Sequence, residues 1–421
     1  MIDFKNINNK YVELFLFLTL FFFLEYEYYY FVVPLFKENM GFDFAFSLWK
    51  YGLVKLFLTG LLFINYKLKE FNYFANSLFL IFLSFPAIIL FEFMPGTPIS
   101  ISLFIILFHV LFYLSSLIKF DIKTDKYIIN KKYSLYIILG ITILMLIPFF
   151  IIYGFKINTD ALLFKDVYKI RAEAAIKSNI LTSYFLGWLI KIIIPIGIII
   201  SLHKKKCLLV ALFILAQLYV FSTGAHKSAF FSIFVVFIMY IKTYRKQVAF
   251  ILFSFIVLII ASKLISIFGE NIYPESYSVR RTFFIPAIII SDYFDFFKSQ
   301  PIHLSHSILH KFIEYPYELQ PTHLIGKEYF SNPASNVNTG FIGDGFMNFG
   351  YIGVLINIIG VILIFKIIEL FKISYIYSGI LLIIIYTLIS SYFLTSLLTH
   401  GIILFIIFCL LFLQNTELEN R

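Results

Sequence analysis

Charge is scarce in this chain. Asp, Glu, Lys and Arg together supply 14% of its 421 residues, whereas soluble domains carry about 25%. Hydrophobic residues fill the gap at 61%, so a soluble enzyme or binding domain is excluded and a polytopic membrane protein is expected. Cysteine is nearly absent: Cys207 and Cys409 flank or sit inside apolar runs, which rules out a disulfide framework and a thiolate metal site. No polar block is long enough to bury a core of its own, so residues 1–421 read as a single membrane domain. Also missing are a Walker A loop, a G-x-S-x-G elbow, a dinucleotide fingerprint and a D-x-D pair, which argues against ATP coupling, serine hydrolysis and metal-dependent use of nucleotide sugars.

What the chain does contain is a succession of apolar stretches. Twelve candidate spans lie near 11–33, 44–65, 74–93, 99–118, 133–154, 180–201, 207–222, 227–241, 247–268, 345–365, 374–392 and 396–413. The first run is too long for a signal peptide and reads as the first span. The expected class is therefore an all-α integral membrane protein of about twelve transmembrane helices. One large external loop, 269–344, would carry short interfacial or re-entrant helices, and a second external segment covers 155–179. The net charge of +10 is scattered through short loops and sets topology, with no nucleic-acid partner implied. Lys67, Lys69, the cluster from Lys119 to Lys132, "HKKK" at 203–206, Lys242 to Lys246, and Lys366 with Lys372 all fall on one side. The positive-inside rule makes that side cytoplasmic, with both termini there. Lys55, Lys191, Lys263, Glu25 and Glu27 lie inside or near spans, and most are within snorkelling reach of an interface.

The opposite face collects the segments with chemical potential. "KINTDALLFKDVYKIRAEAAIKSN" places Arg171 on a helical pattern that is either a solvated amphipathic face or an anion clamp. "FSTGAHKSAFF" joins a glycine turn to His226 and Lys227, a phosphate cradle or a plain turn with an anchoring lysine. In the long loop, Arg280 and Arg281 precede about 16 apolar residues, where two adjacent cations point to an anionic partner, ordinary headgroups being the simplest. The loop continues with many His, Tyr, Asn and Pro residues, side chains that suit sugar faces and sugar hydroxyls. His303, His306 and His310 have helical spacing but no acidic companion, so no metal site is expected. Asp292 and Asp295 could share a helix face. The loop ends in "NTGFIGDGFMNFGYIG", Asn338 to Gly353, where Asp344 stands between two glycines as either a helix cap or a base.

Taken together, "YKIRAEA", "STGAHKSAFF", "RRTFFIPAIIISDYFDFF", "LIGKEYF" and "NTGFIGDGFMNFGYIGVLIN" resemble the bacterial O-antigen and capsule repeat-unit polymerases of the Wzy type, over residues 160–360. The resemblance implies a metal- and cofactor-free glycosyltransferase of the inner membrane. It would transfer a growing glycan from undecaprenyl pyrophosphate to a hydroxyl of the next lipid-linked repeat unit on the outer face, beside a separate chain-length regulator. In that role Arg171, Lys227, Arg280 and Arg281 would hold pyrophosphate, which leaves as a stable anion. Asp344, His226, His323 and His400 are options for the base, and Asn338, Asn348, His323 and His400 for contacts to pyrophosphate or glycan. An O-antigen ligase, a flippase of lipid-linked oligosaccharide and an ion-coupled transporter are the alternatives.

Overall fold

The computed structural model describes residues 10–119, 131–163, 165–224, 232–233 and 235–414. Among these no strand occurs. In chain order the main helices are α1 (Lys10–Met40), α2 (Leu48–Lys67), α3 (Glu70–Phe93), α4 (Ile99–Leu117), α5 (Tyr133–Tyr153), α6 (Val167–Lys177) and α7 (Ile180–His203). They continue with α8 (Cys207–Gly224), α9 (Tyr244–Gly269), α10 (273–297), α11 (Pro321–Phe330), α12 (Phe341–Leu370), α13 (Tyr375–Ser390) and α14 (Phe393–Leu413). Ten of them, all but α6, α10, α11 and α13, are long and apolar enough to cross a membrane. The expected span at 227–241 is described only in part, since 225–231 and 234 lie outside the described residues, and it closes in a short 3-10 turn at Phe237–Tyr240.

The chain divides into two compact units. The first holds Met1–Lys119, Thr243–Lys366 and Leu388–Phe393; the second holds Phe120–Lys242, Ile367–Thr387 and Leu394–Arg421.

The first unit is built around α3, whose spanning window is wholly buried. Its sequence, "EFNYFANSLFLIFLSFPAIILFEF", is apolar on most sides, which suits lipid as well as protein, so its buried place rests on the polar groups that lipid cannot satisfy. Its few polar groups meet partners on both neighbouring helices. Asn76 donates to Asn65 on α2 at 2.9 Å, Asn65 donates to Ser77 at 3.0 Å, and the His109 ring on α4 lies 2.7 Å from Asn76 and 2.6 Å from Ser84. In a medium without water such bonds hold helices together at about 0.6–2 kcal/mol each.

The charged residues of the spans are not snorkelling, contrary to the expectation from their positions. Glu25 on α1 pairs with Lys55 on α2, which also holds Glu92 of α3 at 2.9 Å. Glu27 pairs with Lys263 of α9 at 2.8 Å, with Glu275 of α10 at 3.8 Å from the same ammonium. Glu13 accepts from Arg245 at 2.7 Å and from Tyr73 at 2.8 Å. Three carboxylates on different faces of α1 thus tie it to α2, α3, α9 and α10, because a charge that reaches a partner avoids the cost of lone burial.

Five helices among the described residues widen into π turns, at 28–32, 80–84, 189–193, 276–284 and 409–413, and each of the first four has a proline two residues later: Pro34, Pro86, Pro195 and Pro286. Proline donates no N–H and its ring crowds the carbonyl four residues back, so shifting the preceding bonds from i−4 to i−5 lets the helix continue past it.

In the second unit α7 packs on α8, with the edge of the Phe213 ring filling the space beside Gly197. Lys191, in the π turn of α7, donates to Thr387 of α13 at 3.2 Å instead of reaching for an interface.

Candidate functional site

The glycine-rich segment that closes the long loop is not the straight mouth of a span. Helix α12 breaks at Phe349 (φ −140°, ψ 23°) and Gly350 (φ 60°, ψ −145°) and folds back on itself. Positive φ at Gly350 is a conformation that disfavours any residue with a Cβ. The two arms, 341–348 and 351–370, lie antiparallel and nearly touch: a Cβ on Gly345 would meet the Gly353 backbone, and one on Gly353 the Gly345 carbonyl. Further along, Asn357 donates to the carbonyl of Phe341 at 2.8 Å, closing the hairpin. Phe341 itself packs against Phe79 and Phe108, near the middles of α3 and α4, at centroid distances of 6.2 and 5.7 Å. The short arm therefore starts at mid-span depth, and the crossing is made by 351–370 alone, about 30 Å of helix.

Asp344 lies in the first turn of this buried arm and is 6% exposed. Its Oδ1 accepts from Asn348 Nδ2 at 2.9 Å, and its Oδ2 accepts from the Phe393 backbone N–H at 2.8 Å and Asn357 Nδ2 at 3.5 Å. Phe393 follows a break at 391–392, so the carboxylate caps the start of a second interrupted helix while it braces the first. Asn348 completes the frame. Its Oδ1 accepts from Leu304 N–H at 3.0 Å, while the carbonyls of Met347 and Asn348 accept from Ile302 and His303 at 3.0 Å each. The long loop thus satisfies the orphan carbonyls at the end of the arm.

Around Asp344 the loop contributes aromatic and ionisable side chains. Phe294 stacks on Phe346 with ring centroids 3.9 Å apart. Tyr293 donates to the Val337 carbonyl at 2.9 Å, which leaves Tyr392 as the donor in the 2.8 Å bond between the two hydroxyls. The His306 ring packs 5.8 Å from Tyr392, and burial holds its imidazole below the usual histidine range. Three buried polar atoms here bond to nothing described: Nδ1 of His306, Oδ2 of Asp292 and Oγ1 of Thr339.

Arg280 sits at the other end of α10, 5% exposed. Its Nε donates to Ser276 at 2.9 Å, its Nη1 points at Met40 sulfur at 2.9 Å, and its guanidinium lies 4.2 Å over the Phe36 ring. No carboxylate among the described residues pairs with it, and Nη2 bonds to none of them. Arg281, next to it, is exposed and lies 4.8 Å over Tyr277. About 20 Å of helix separates Arg280 from Phe294, so the arginine and the Asp344 frame are two places in one unit.

The other expected residues distribute as follows. His323, half-exposed, bonds the Pro333 carbonyl at 2.9 Å, and Asn338 is exposed; neither touches Asp344. Arg171 stands half-buried on α6, and His400 in the turn before Gly401 has its N–H on the Thr395 carbonyl; both belong to the second unit. His226 and Lys227 lie outside the described residues. His303, His306 and His310 do not share a helix face: they occupy successive turns, His303 with φ 50°. Asp292 is buried, whereas Asp295 is exposed and bonded to Lys298 at 2.7 Å and Tyr329 at 2.8 Å. Sequence reasoning missed Asn357, Tyr392 and Tyr293. An asparagine inside an otherwise apolar span was the available signal for the first; the tyrosines are too common in this chain, 29 in all, to have stood out.

No protein-family model, curated protein or solved structure matches this chain.

Proposed function

We propose that the chain polymerises lipid-linked oligosaccharide repeat units in a bacterial cytoplasmic membrane, passing the growing glycan from undecaprenyl pyrophosphate to a hydroxyl of the incoming unit. Arg280 carries this reading. A guanidinium removed from water without a carboxylate is costly, and an anion arriving from outside the protein repays that cost. Planar, bidentate donors suit a phosphate oxygen pair, and stabilising the departing pyrophosphate lowers the barrier where charge develops. In the transfer the acceptor hydroxyl attacks the anomeric carbon and the bond to pyrophosphate breaks with its electron pair. The hydroxyl proton passes to a base close to the same anomeric carbon; about 20 Å of helix separates the Asp344 frame from Arg280, so Asp344 takes that part where another of the outer cations holds the leaving pyrophosphate. Arg281, Arg171 and Lys227 remain candidates for the same anion, and His226, His323, His400, Asn338 and Asn348 for contacts to glycan or base.

A second reading draws support from the interrupted helices that meet at Asp344, since transporters build midplane sites from such breaks. On that reading the chain flips the lipid-linked unit. Deleting the gene and running the surface glycan on a gel separates the readings. Loss of polymerisation leaves single repeat units on the surface, loss of a ligase leaves polymer on the carrier lipid, and loss of a flippase leaves units trapped inside the cell. Polymer of normal length after deletion would sink the proposal.

A further inference from the structure

The long loop carries a row of rings that the proposed chemistry at Asp344 and Arg280 does not use. Phe296 lies 5.6 Å from Tyr317, Tyr317 5.7 Å from Tyr315, Tyr315 6.5 Å from His306, His306 5.8 Å from Tyr392, and Tyr392 6.3 Å from Tyr293. The row ends beside Phe393, whose N–H the Asp344 carboxylate holds. It is not a core, because Phe296, Tyr317, Tyr315, His306 and Tyr392 are all only partly buried. Nor are all its polar groups satisfied within the described residues. The Tyr317 hydroxyl bonds to no described group, the Tyr315 hydroxyl reaches only the carbonyl of Leu319 in its own turn at 2.7 Å, and Nδ1 of His306 is buried with no partner among the described residues. Exposed Glu314 and Glu318 flank the two tyrosines, which disfavours a polyanion lying along them.

Half-exposed rings interleaved with hydroxyls and an imidazole offer apolar faces for the C–H side of a sugar and hydrogen-bonding groups for its hydroxyls. We propose that this row is a track for a saccharide chain, holding successive uncharged sugars of the glycan and leading its reacting end to the Asp344 frame. The inference rests on the polymerase reading for the identity of the chain, though the track would bind a neutral oligosaccharide whatever the protein does with it.

The test uses the full chain in detergent and, as probe, the repeat-unit oligosaccharide released by mild acid from the surface glycan of the producing cells. Saturation-transfer NMR from aromatic protein protons should reach the sugar ring protons. The double variant Y315L/Y317L should bind roughly 10-fold more weakly, and Y317F, which keeps the ring, should fall between. Insertion of each variant is checked by its amount in purified membranes. Equal binding by wild type and Y315L/Y317L, or no transfer to the probe at all, overturns the track. If gene deletion abolishes polymer while Y315L/Y317L binds normally, the track fails and the polymerase reading survives. If Y315L/Y317L loses binding while deletion leaves polymer unchanged, the track stands and the polymerase reading fails.

Discussion

Asp344 and Arg280 are both buried, yet removing their charge should have opposite consequences for stability. The Asp344 carboxylate takes three donors from three places in the chain. In Asp344→Asn the amide has one acceptor oxygen left, and its NH₂ faces the NH₂ of Asn348. The expected loss is about 1–3 kcal/mol, read from the midpoint of thermal unfolding in detergent. Adding Asn348→Asp restores an acceptor opposite the new donor and still accepts Leu304 N–H, but loses the bond from Asn348 Nδ2 to the carbonyl of residue 344, so the double variant should recover part of that stability. If Asp344 is the base, polymer stays absent in the double variant; if it is only a brace, polymer returns. For Arg280, replacement by Met keeps a chain of similar length on the Phe36 ring and removes a charge with no counterpart. Stability should hold or rise by about 1 kcal/mol, with polymer lost. A large fall in unfolding temperature would show that Arg280 is structural. His306 adds a pH dependence. Burial lowers its folded value, so below the unfolded value of about 6.5 the unfolded chain binds a proton that the folded one refuses. Stability should therefore fall as pH drops from 7 toward the depressed folded value, and His306→Gln should flatten that slope.

At the scale of elements, the hairpin of α12 decides where the site lies, and glycines decide the hairpin. Gly353→Ala would drive a Cβ into the Gly345 carbonyl, while Gly140→Ala on α5 meets nothing within 4 Å. The first should destabilise by about 1–3 kcal/mol or block folding, as overpacking does; the second should stabilise by up to about 1 kcal/mol. Comparable effects from the two would mean the arms are not in contact. The density of glycine and polar residues in "NTGFIGDGFMNFGYIG" marks this stretch as special in the sequence alone. The reversal within it is not legible there, because a hydropathy window counts apolar residues and both arms are apolar whichever way they run. The same limit applies to Glu25, Glu27, Lys55 and Lys263. Their positions along the chain are visible, but a partner more than 200 residues away, such as Lys263 for Glu27, is set by packing.

For the whole molecule, composition was sufficient to place the chain among polytopic helical membrane proteins, because 61% apolar residues in runs of span length have no other stable arrangement. Division into two units was not legible, since the segments of each alternate along the sequence. Placement of the candidate residues follows from that division. Asp344, Asn348, Arg280, Arg281, His323 and Asn338 share the first unit, and Arg171 and His400 belong to the second. The polymerase reading concerns the molecule as a whole, and it is tested most directly with purified chain in proteoliposomes, given undecaprenyl-pyrophosphate-linked repeat unit as sole substrate, with a chelator present. The products are read on a gel. A ladder of glycan lengths from the wild-type chain, absent with Arg280→Met, is the predicted result; single repeat units alone from the wild-type chain would contradict it.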